Sequence, residues 1–324
     1  MKIFFITKQY SNLADDQSLI LENIKIALLK YDFIKETLNP NEADALIIQE
    51  KISFKDFRYI KELLKDSFIV RYLPKIFTFN GDDCATTLLR GLYTSVPKSR
   101  LSPKYNSSVP FGNYYNELVF SGHHDEVKPI YLAGWRGNSF SNSIRKKMAT
   151  VIESKTDCKI ELTESWLNHE KDEKNEFVNL ILESKFSLCP GGWAPTSYRI
   201  YESMALGRCP VIIADNFAPP QGPNWNEFAL FFPERKIKKL HLFLLEHEPL
   251  YMKLGLKAKE AWNNFFRLEI IADYYAKSLI EIISSSPECS MKTEIKRWNS
   301  LKFYWNNNWT LPQRVSNKIK QKII

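Results

Sequence analysis

Two charged side chains, Arg199 and Glu202, follow a glycine-bearing turn at Pro190-Gly191-Gly192. Ser197, a residue typical of helix starts, stands between the turn and the arginine. The amino end of a helix presents free backbone N–H groups and the positive end of the helix dipole, which together suit a phosphate. We therefore predict that Gly192, Ser197 and Arg199 contact a diphosphate. Glu202 lies one turn further on and is predicted to hold a ribose hydroxyl, which makes the whole a nucleotide site.

Two simpler explanations of this segment stay open. A Gly-Gly pair can form a tight turn that binds nothing, and charges three residues apart on a helix often form a surface ion pair. The apolar residues Ile200 and Met204 recur at helical spacing, so one face of the helix is expected to pack on a sheet. Arg199 and Glu202 are then expected together on the other flank.

A second turn between a strand and a helix is predicted at Gly134-Trp-Arg136-Gly-Asn138. In an open α/β domain such a turn lies in the ligand crevice, so we predict that Gly134 and Arg136 join the site, with Arg136 neutralising the diphosphate. A solvent-exposed loop arginine is the alternative. Arg145, in the helix that follows, is expected to be a surface or structural charge. The glycine spacing is not that of a dinucleotide fingerprint and no Walker motif occurs, which disfavours NAD and ATP. No cofactor is predicted.

Candidates for a catalytic base lie in the first half of the chain. Asp82 and Asp83 end the turn Asn80-Gly-Asp-Asp83, which is predicted to precede a helix from Cys84, and either carboxylate could take a proton from a hydroxyl within about 3 Å. The alternative is that Asp83 caps that helix. His124 is another candidate, unless His123-His124 is an exposed linker pair. No D-x-D triad occurs, so we predict no bound metal ion and a metal-independent reaction.

The chain of 324 residues is long enough for two domains. Short apolar runs alternate with amphipathic stretches, which predicts βαβ units and mostly parallel sheets. The predicted elements include a strand over residues 68–72 and a helix over residues 84–93. The pattern weakens between residues 96 and 129, so we predict domains at 1–125 and 126–296. The tail, 297–324, mixes tryptophans with lysines, and it is expected either to pack back on the first domain or to lie on a membrane surface.

Composition narrows the class of partner and of compartment. The net charge of +8 and the pI near 9.0 indicate an anionic partner. Five cysteines without a C-x-x-C pair argue against a disulfide framework and against a structural zinc site. The first apolar run is too short for a signal sequence, and no apolar stretch approaches the roughly 20 residues of a membrane span. We expect a cytoplasmic protein.

The segment from Phe186 to about Phe232 resembles the exostosin-like glycosyltransferases, glycosyltransferase family 47. The resemblance rests on Ser197-x-Arg199-x-x-Glu202, then Gly207-Arg-Cys-Pro-Val-Ile-Ile213, then Asn224-Trp225. It implies a GT-B fold, which has two facing Rossmann-like domains and an interdomain cleft, and sugar transfer with inversion. It also implies that Glu202 binds the donor ribose, while Ser197, Arg199 and Arg136 contact the diphosphate.

The resemblance further implies a donor that is a nucleotide diphosphate sugar, with a UDP-sugar expected, and a glycan or lipid-linked glycan as acceptor. With no membrane anchor in the sequence, the chain looks like a soluble, bacterial-type member for surface polysaccharide synthesis, cytoplasmic or peripheral to the inner face of the membrane through its basic aromatic tail. Two rivals stay open: a non-catalytic carbohydrate-binding or scaffold protein of the same fold, and a basic nucleic-acid-binding protein. Because the aromatic residues are spread through core-like positions, we expect no nucleic acid partner.

Overall fold

The structure, a computed structural model, describes residues 1–15, 19–51, 59–120, 127–164, 171–287 and 289–307. The chain forms two compact units. The first holds Met1–Ser108 and the chain from Tyr275 onward, and the second holds Val109–Tyr274.

Each unit is built on one parallel sheet. The strands of the first are β1 Lys2–Ile6, β2 Lys35–Glu36, β3 Ala45–Gln49, β4 Ile76–Asp83, β5 Arg90–Ser95 and β6 Asn106–Ser108, in the order β2-β1-β3-β4-β5-β6. The strands of the second are β7 Tyr131–Gly137, β8 Cys158–Leu162, β9 Ser184–Pro190, β10 Cys209–Ile213 and β11 Leu230–Phe231, in the order β11-β10-β9-β7-β8. Central strands such as β3 are buried along their whole length because parallel sheets are covered on both faces.

Helices connect the strands. In the first unit they are α1 Ile20–Leu28, α2 Tyr59–Lys65, α3 Ser67–Tyr72, α10 Met291–Trp298 and α11 Leu301–Asn307. In the second they are α4 Ser143–Glu153, α5 Lys171–Leu182, α6 Tyr198–Ala205, α7 Leu240–His247 and α8 Tyr251–Ala261, which continues as a π-helical turn over Trp262–Phe266. Helix α9, Ile271–Ser285, contains the crossing back to the first unit. The predicted α/β class, with two domains that are each built on a parallel sheet, is confirmed.

Two predicted elements of the first unit are wrong. Residues 68–72 were predicted as a strand and form α3, because the Asp66 carboxylate accepts hydrogen bonds from the N–H groups of Phe68 and Ile69 and so starts a helix. Residues 84–93 were predicted as a helix, but the chain runs through a loop into β5. That strand pairs directly with β4. Leu92 and Tyr93 are buried within the strand, and Leu88 and Leu89 are buried just before it.

The units divide at positions that differ from the predicted boundaries near residues 126 and 297. The chain joins the second unit at Val109, where the ring of Phe111 stacks on that of Tyr198 at 3.9 Å between centroids. It returns at Tyr275, whose ring lies 4.9 Å from that of Phe79. Each crossing segment therefore makes an aromatic contact within the unit that it joins.

The described part of the tail, residues 297–307, lies on the first unit. Trp298 is fully buried and its indole N–H donates to the carbonyl of Leu88 at 3.0 Å, while Arg297 pairs with Glu294. Trp305 remains exposed. Within the described residues, none of the helices has the length and apolar character that a membrane span requires.

Candidate functional site

The carboxyl ends of β7 and β9 lie side by side, since the two strands pair in the second sheet. Two side chains of the β7–α4 connection hold the turn that follows β9. The guanidinium Nε of Arg145 donates to the carbonyl of Gly191 at 3.0 Å, and the amide of Asn142 donates to that of Gly192 at 3.1 Å. The two loops are thereby fixed to each other at the edge where ligands of parallel sheets bind.

Gly192 leaves room for this arginine. A Cβ atom at this position would lie 2.9 Å from Nη2 of Arg145, closer than a Cβ contact allows. The predicted diphosphate contact of Gly192 stays a prediction. Arg145, which the sequence indicated only as a surface or structural charge, enters the site because the fold brings α4 against the turn after β9.

Arg199 is buried and points into the unit. It is 8% exposed, and its guanidinium carbon lies 5.5 Å from the ring centroid of Trp135 and 5.0 Å from that of Phe177. Its Nη2 donates to the carbonyl of Arg136, and its Nε is buried with no acceptor among the described residues. Burial lowers the pKa of this guanidinium, against the opposing effects of Cys189 and Glu202. A cation is thus held in low dielectric with few partners, which costs free energy unless an anion joins it.

Glu202 is buried as well, at 6% exposed. Burial raises its pKa to about 7, and the charge of Arg199 partly offsets that rise. Its carboxylate makes no hydrogen bond and no ion pair with any residue that the structure describes, Arg199 included. The prediction that Arg199 and Glu202 lie on a flank of α6 away from the packed face is therefore wrong. Every residue of the helix from Arg199 to Ala205 is buried, because the chain around Phe111 covers the side away from the sheet.

Ser197 is the N-cap residue of α6, but its side chain makes no capping hydrogen bond. The neighbouring Thr196 is nine-tenths buried, and its hydroxyl oxygen has no partner among the described residues. The same holds for the hydroxyl of Ser141 and the indole N–H of Trp135. Buried polar atoms normally find partners, so unpartnered ones at the end of β7 and in the loops after β7 and β9 indicate room for a polar ligand. Sequence reasoning did not assign Thr196, Ser141 or Trp135 to the site.

Arg136 is already paired with acidic side chains. Its Nη1 lies 2.5 Å from a carboxylate oxygen of Glu161, and its Nη2 lies 2.6 Å from one of Glu176 and 3.8 Å from one of Glu173. A guanidinium engaged by several carboxylates has little charge left for a diphosphate. The alternative of a solvent-exposed loop arginine does not describe Arg136 either, since only 14% of its side chain is exposed.

Gly134 lies inside β7 and not in a turn, so its predicted position is wrong. A Cβ there would lie 2.2 Å from the hydroxyl of Ser184 and 3.0 Å from a methyl of Leu180. Close packing of α5 on the sheet explains this glycine. The strand continues to Gly137 because its pairing with β8 continues to Leu162.

In the first unit, Asp82 and Asp83 end β4. The carboxylate of Glu50 orders this end of the strand, because it accepts hydrogen bonds from the hydroxyl of Thr78 and the amide of Asn80, both at 2.8 Å. Asn80 in turn accepts from the backbone N–H of Asp82 at 2.9 Å. Asp83 caps no helix, because Cys84 follows it in a left-handed conformation that leads into a loop. His124 lies outside the described residues.

The model of the exostosin GT47 domain matches residues 83–246, half of the chain. The chain belongs to the exostosin GT47 family. The resemblance predicted from Ser197, Arg199 and Glu202 is confirmed, and the matched range runs from the end of β4 to α7, so it includes both loops of the site.

Individual relatives of this GT47 chain match over shorter stretches. A probable glucuronoxylan glucuronosyltransferase of Arabidopsis thaliana, IRX7, is 48% identical over 69 residues, which are 21% of this chain and 15% of the plant protein. Ribitol-5-phosphate xylosyltransferase 1 of Danio rerio is 31% identical over 86 residues, which are 25% of this chain and 20% of the fish protein. The matched stretches thus span a fifth or less of these relatives.

Two solved structures are weakly similar to this GT47 chain. The crystal structure of TarM covers 92% of the chain, which covers 50% of TarM, with a TM-score of 0.34 and 12% identity. A glycosyltransferase from Rickettsia africae gives 84% coverage of both chains, a TM-score of 0.37 and 12% identity. Neither likeness bears on the function.

Proposed function

We propose that this chain is an inverting, metal-independent glycosyltransferase that moves a sugar from a nucleotide diphosphate sugar, a UDP-sugar in our expectation, to a glycan or lipid-linked glycan. Membership of the exostosin GT47 family supports sugar transfer. The names of the relatives, glucuronosyltransferases and a xylosyltransferase, fit donors of this kind.

The buried, under-paired guanidinium of Arg199 is the observation that carries the proposal. In the structure it donates one hydrogen bond to a carbonyl, while its Nε is buried without an acceptor. A diphosphate at the start of α6 would supply the missing charge and acceptors, and a bond between ionised partners is stronger than a neutral one. The unpartnered hydroxyl of Thr196 would donate to the same group.

Glu202 is proposed to accept hydrogen bonds from the donor ribose. It lies one turn after Arg199 on α6, and its carboxylate has no partner among the described residues. Two ribose hydroxyls would supply donors to this buried group. Binding would therefore favour the ionised carboxylate, whose pKa burial raises to about 7 even against the opposing charge of Arg199.

The proposed chemistry depends on charge that develops on the leaving group. As the bond between the sugar and the diphosphate breaks, negative charge grows on the phosphate oxygens, and a preplaced guanidinium stabilises it without further reorganisation. Arg145, which is held on the turn after β9, is a second cation for this role. An acceptor hydroxyl attacks from the opposite face of the sugar, which inverts the anomeric carbon. Asp82 and Asp83 stay the predicted candidates for its base.

Ligand-induced stabilisation tests the proposal directly. The purified chain is screened with a panel of nucleotide sugars in the presence of a chelator, and transfer to glycan acceptors is followed by release of nucleoside diphosphate. A donor at 100 times its Kd is expected to stabilise the fold by about 2.7 kcal/mol. Arg199→Ala is expected to weaken donor binding by about 10- to 100-fold.

Arg267→Ala is the matched control for this substitution, because Arg267 is about half-exposed and its nearest carboxylate oxygen, on Glu269, lies 3.8 Å away. This variant is expected to bind like the wild type. Equal binding by wild type and Arg199→Ala would overturn the assigned role, and absence of any nucleotide-sugar effect would favour the non-catalytic rival.

A further inference from the structure

Three side chains of different chemistry converge at the start of β8. Asp157 directly precedes the strand, Cys158 is its first residue, and His241 reaches them from the first turn of α7. The Nε2 atom of His241 lies 2.9 and 3.0 Å from the two carboxylate oxygens of Asp157. One ligand atom from each of the three residues lies within 4.8 Å of the other two.

We propose that Asp157, Cys158 and His241 form a binding site for Zn²⁺ or a similar transition-metal ion. Thiolate, imidazole and carboxylate are the ligands zinc uses, and tetrahedral bonds of roughly 2.0 to 2.3 Å bring ligand atoms to about 3 to 4 Å from one another. The observed cluster needs little movement to reach that spacing, and water would fill the fourth position. Mg²⁺ and Ca²⁺ prefer oxygen ligands alone and fit this set poorly.

The backbone holds two of the ligands in place. The carbonyl of Asp157 accepts a hydrogen bond from Leu132 N–H at 2.6 Å, and Cys158 Sγ accepts one from Ala133 N–H. His241 follows Leu240, which is fully buried and anchors the start of α7. The side chains of Asp157 and His241 are 41% and 18% exposed, so an ion and its water can reach the cluster.

Metal binding at this cluster balances charge and protons. The thiol of Cys158 gives up its proton when it becomes a ligand, because the thiolate is the form that binds a metal ion. Binding releases the thiol proton to solvent. The imidazole, whose Nε2–H faces the Asp157 carboxylate in the free protein, exchanges through solvent to the tautomer with its proton on Nδ1 and gives Nε2 to the metal. Thiolate and carboxylate then neutralise the two charges of the ion, and affinity is expected to rise with pH.

This cluster is separate from the proposed donor site. It lies at the amino end of β8, whereas Arg199 and Glu202 follow the carboxyl end of β9, which is the opposite edge of the same parallel sheet. The sequence alone does not show this cluster, because His241 lies 84 residues from Asp157 and only the fold brings the two together. A metal ion at this cluster departs from the prediction of no bound metal ion, while the predicted metal independence of sugar transfer is not affected.

Cobalt titration tests the proposal. The chelator-treated full chain is titrated with Co²⁺, and a thiolate-to-cobalt charge-transfer band in the near ultraviolet is expected to saturate at one ion per chain. Cys158→Ser is expected to abolish the band, and His241→Ala to weaken binding by about 10- to 100-fold. Cys289→Ser, at another partly exposed thiol, and His247→Ala, on the same helix, are controls that should keep it. No band at saturating cobalt, or a band that survives Cys158→Ser, overturns the site.

A measurement on the wild type decides the matter even where a variant fails to fold. Zinc K-edge X-ray absorption of the zinc-loaded folded chain is expected to show one sulfur neighbour at about 2.3 Å from the metal. A first shell that contains only nitrogen and oxygen would overturn the proposal. Arg199→Ala should keep the cobalt band, so failure of the metal site and failure of the transferase proposal are distinguishable.

Discussion

The guanidinium of Arg199 donates a hydrogen bond to the backbone carbonyl of Arg136, which ties α6 to the end of β7. The guanidinium of Arg136 pairs instead with Glu161 and Glu176. The two arginines that the sequence assigned to one diphosphate therefore differ in their contacts: acidic side chains pair with Arg136, whereas Nε of Arg199 is buried with no acceptor among the described residues.

Arg199→Met is expected to separate stability from binding. Replacing a buried, poorly paired charge by an apolar side chain of similar length is often neutral or stabilising by about 1 to 4 kcal/mol. We expect an unchanged or higher free energy of unfolding in urea, together with loss of the thermal shift caused by a nucleotide sugar. A large loss of stability in Arg199→Met would instead mark the arginine as a structural cation. Arg208→Met is the comparison, since Arg208 donates hydrogen bonds to the carbonyls of Leu182 and Val127. Loss of these hydrogen bonds is expected to lower the free energy of unfolding.

Glu202 is expected to make stability depend on pH. Its folded pKa of about 7 lies above the ordinary value of 4.5, so the folded chain binds more protons than the unfolded one between those values. Stability is therefore lost as pH rises from about 4.5 to 7, and the full penalty, on the order of 3 kcal/mol, is present above pH 7.

Glu202→Gln removes that penalty. We expect its unfolding free energy to exceed that of the wild type by more at pH 8 than at pH 5, as measured by urea denaturation at both values. A difference that is the same at both pH values would contradict the raised pKa. Glu246→Gln, at a surface position of α7, should follow the wild-type pH dependence.

The sequence predicted the βαβ rhythm and the amino end of α6, because apolar periodicity and glycine turns are local signals. It could not predict that α6 is covered on both sides, since Phe111 and Phe177 are distant in sequence and their contacts with this region exist only in the folded unit. For the same reason the sequence indicated Arg145 only as a surface or structural charge, because its hydrogen bond to Gly191 exists only in the folded unit. Short apolar runs such as residues 68–72 suit either a strand or a helix. Here the Asp66 side chain caps the segment, and the segment forms a helix.

Thr196→Val is expected to weaken donor binding without destabilising the fold. The Thr196 hydroxyl is buried and has no partner among the described residues, so valine removes an unsatisfied polar group and keeps the shape. We expect a free energy of unfolding equal to that of the wild type or higher by about 1 kcal/mol. The affinity for a nucleotide sugar, measured by calorimetry, should fall. Unchanged affinity would remove Thr196 from the proposed site.

Gly134→Ala is expected to destabilise the second unit through overpacking. The new Cβ would lie 2.2 Å from the hydroxyl of Ser184, which itself donates to the carbonyl of Leu180 and cannot move freely. A cost of about 1 to 3 kcal/mol is expected in urea denaturation. Gly81→Ala is the control, because nothing lies within 4 Å of its Cβ position. Equal stability of the two variants would show that the packing of α5 on β7 is looser than described.

The tail is expected to combine a structural part with an exposed one. Trp298→Ala should destabilise the fold by about 3 to 5 kcal/mol, because the indole is 1% exposed and packs in the core of the first unit. Trp305, 73% exposed, should tolerate alanine within about 0.5 kcal/mol. A membrane test by flotation with anionic liposomes should therefore remove residues 308–324 and keep Trp298, since truncation at Arg297 would also unfold the first unit. If Trp298→Ala and Trp305→Ala melt at the same temperature, the tail does not belong to the core of that unit.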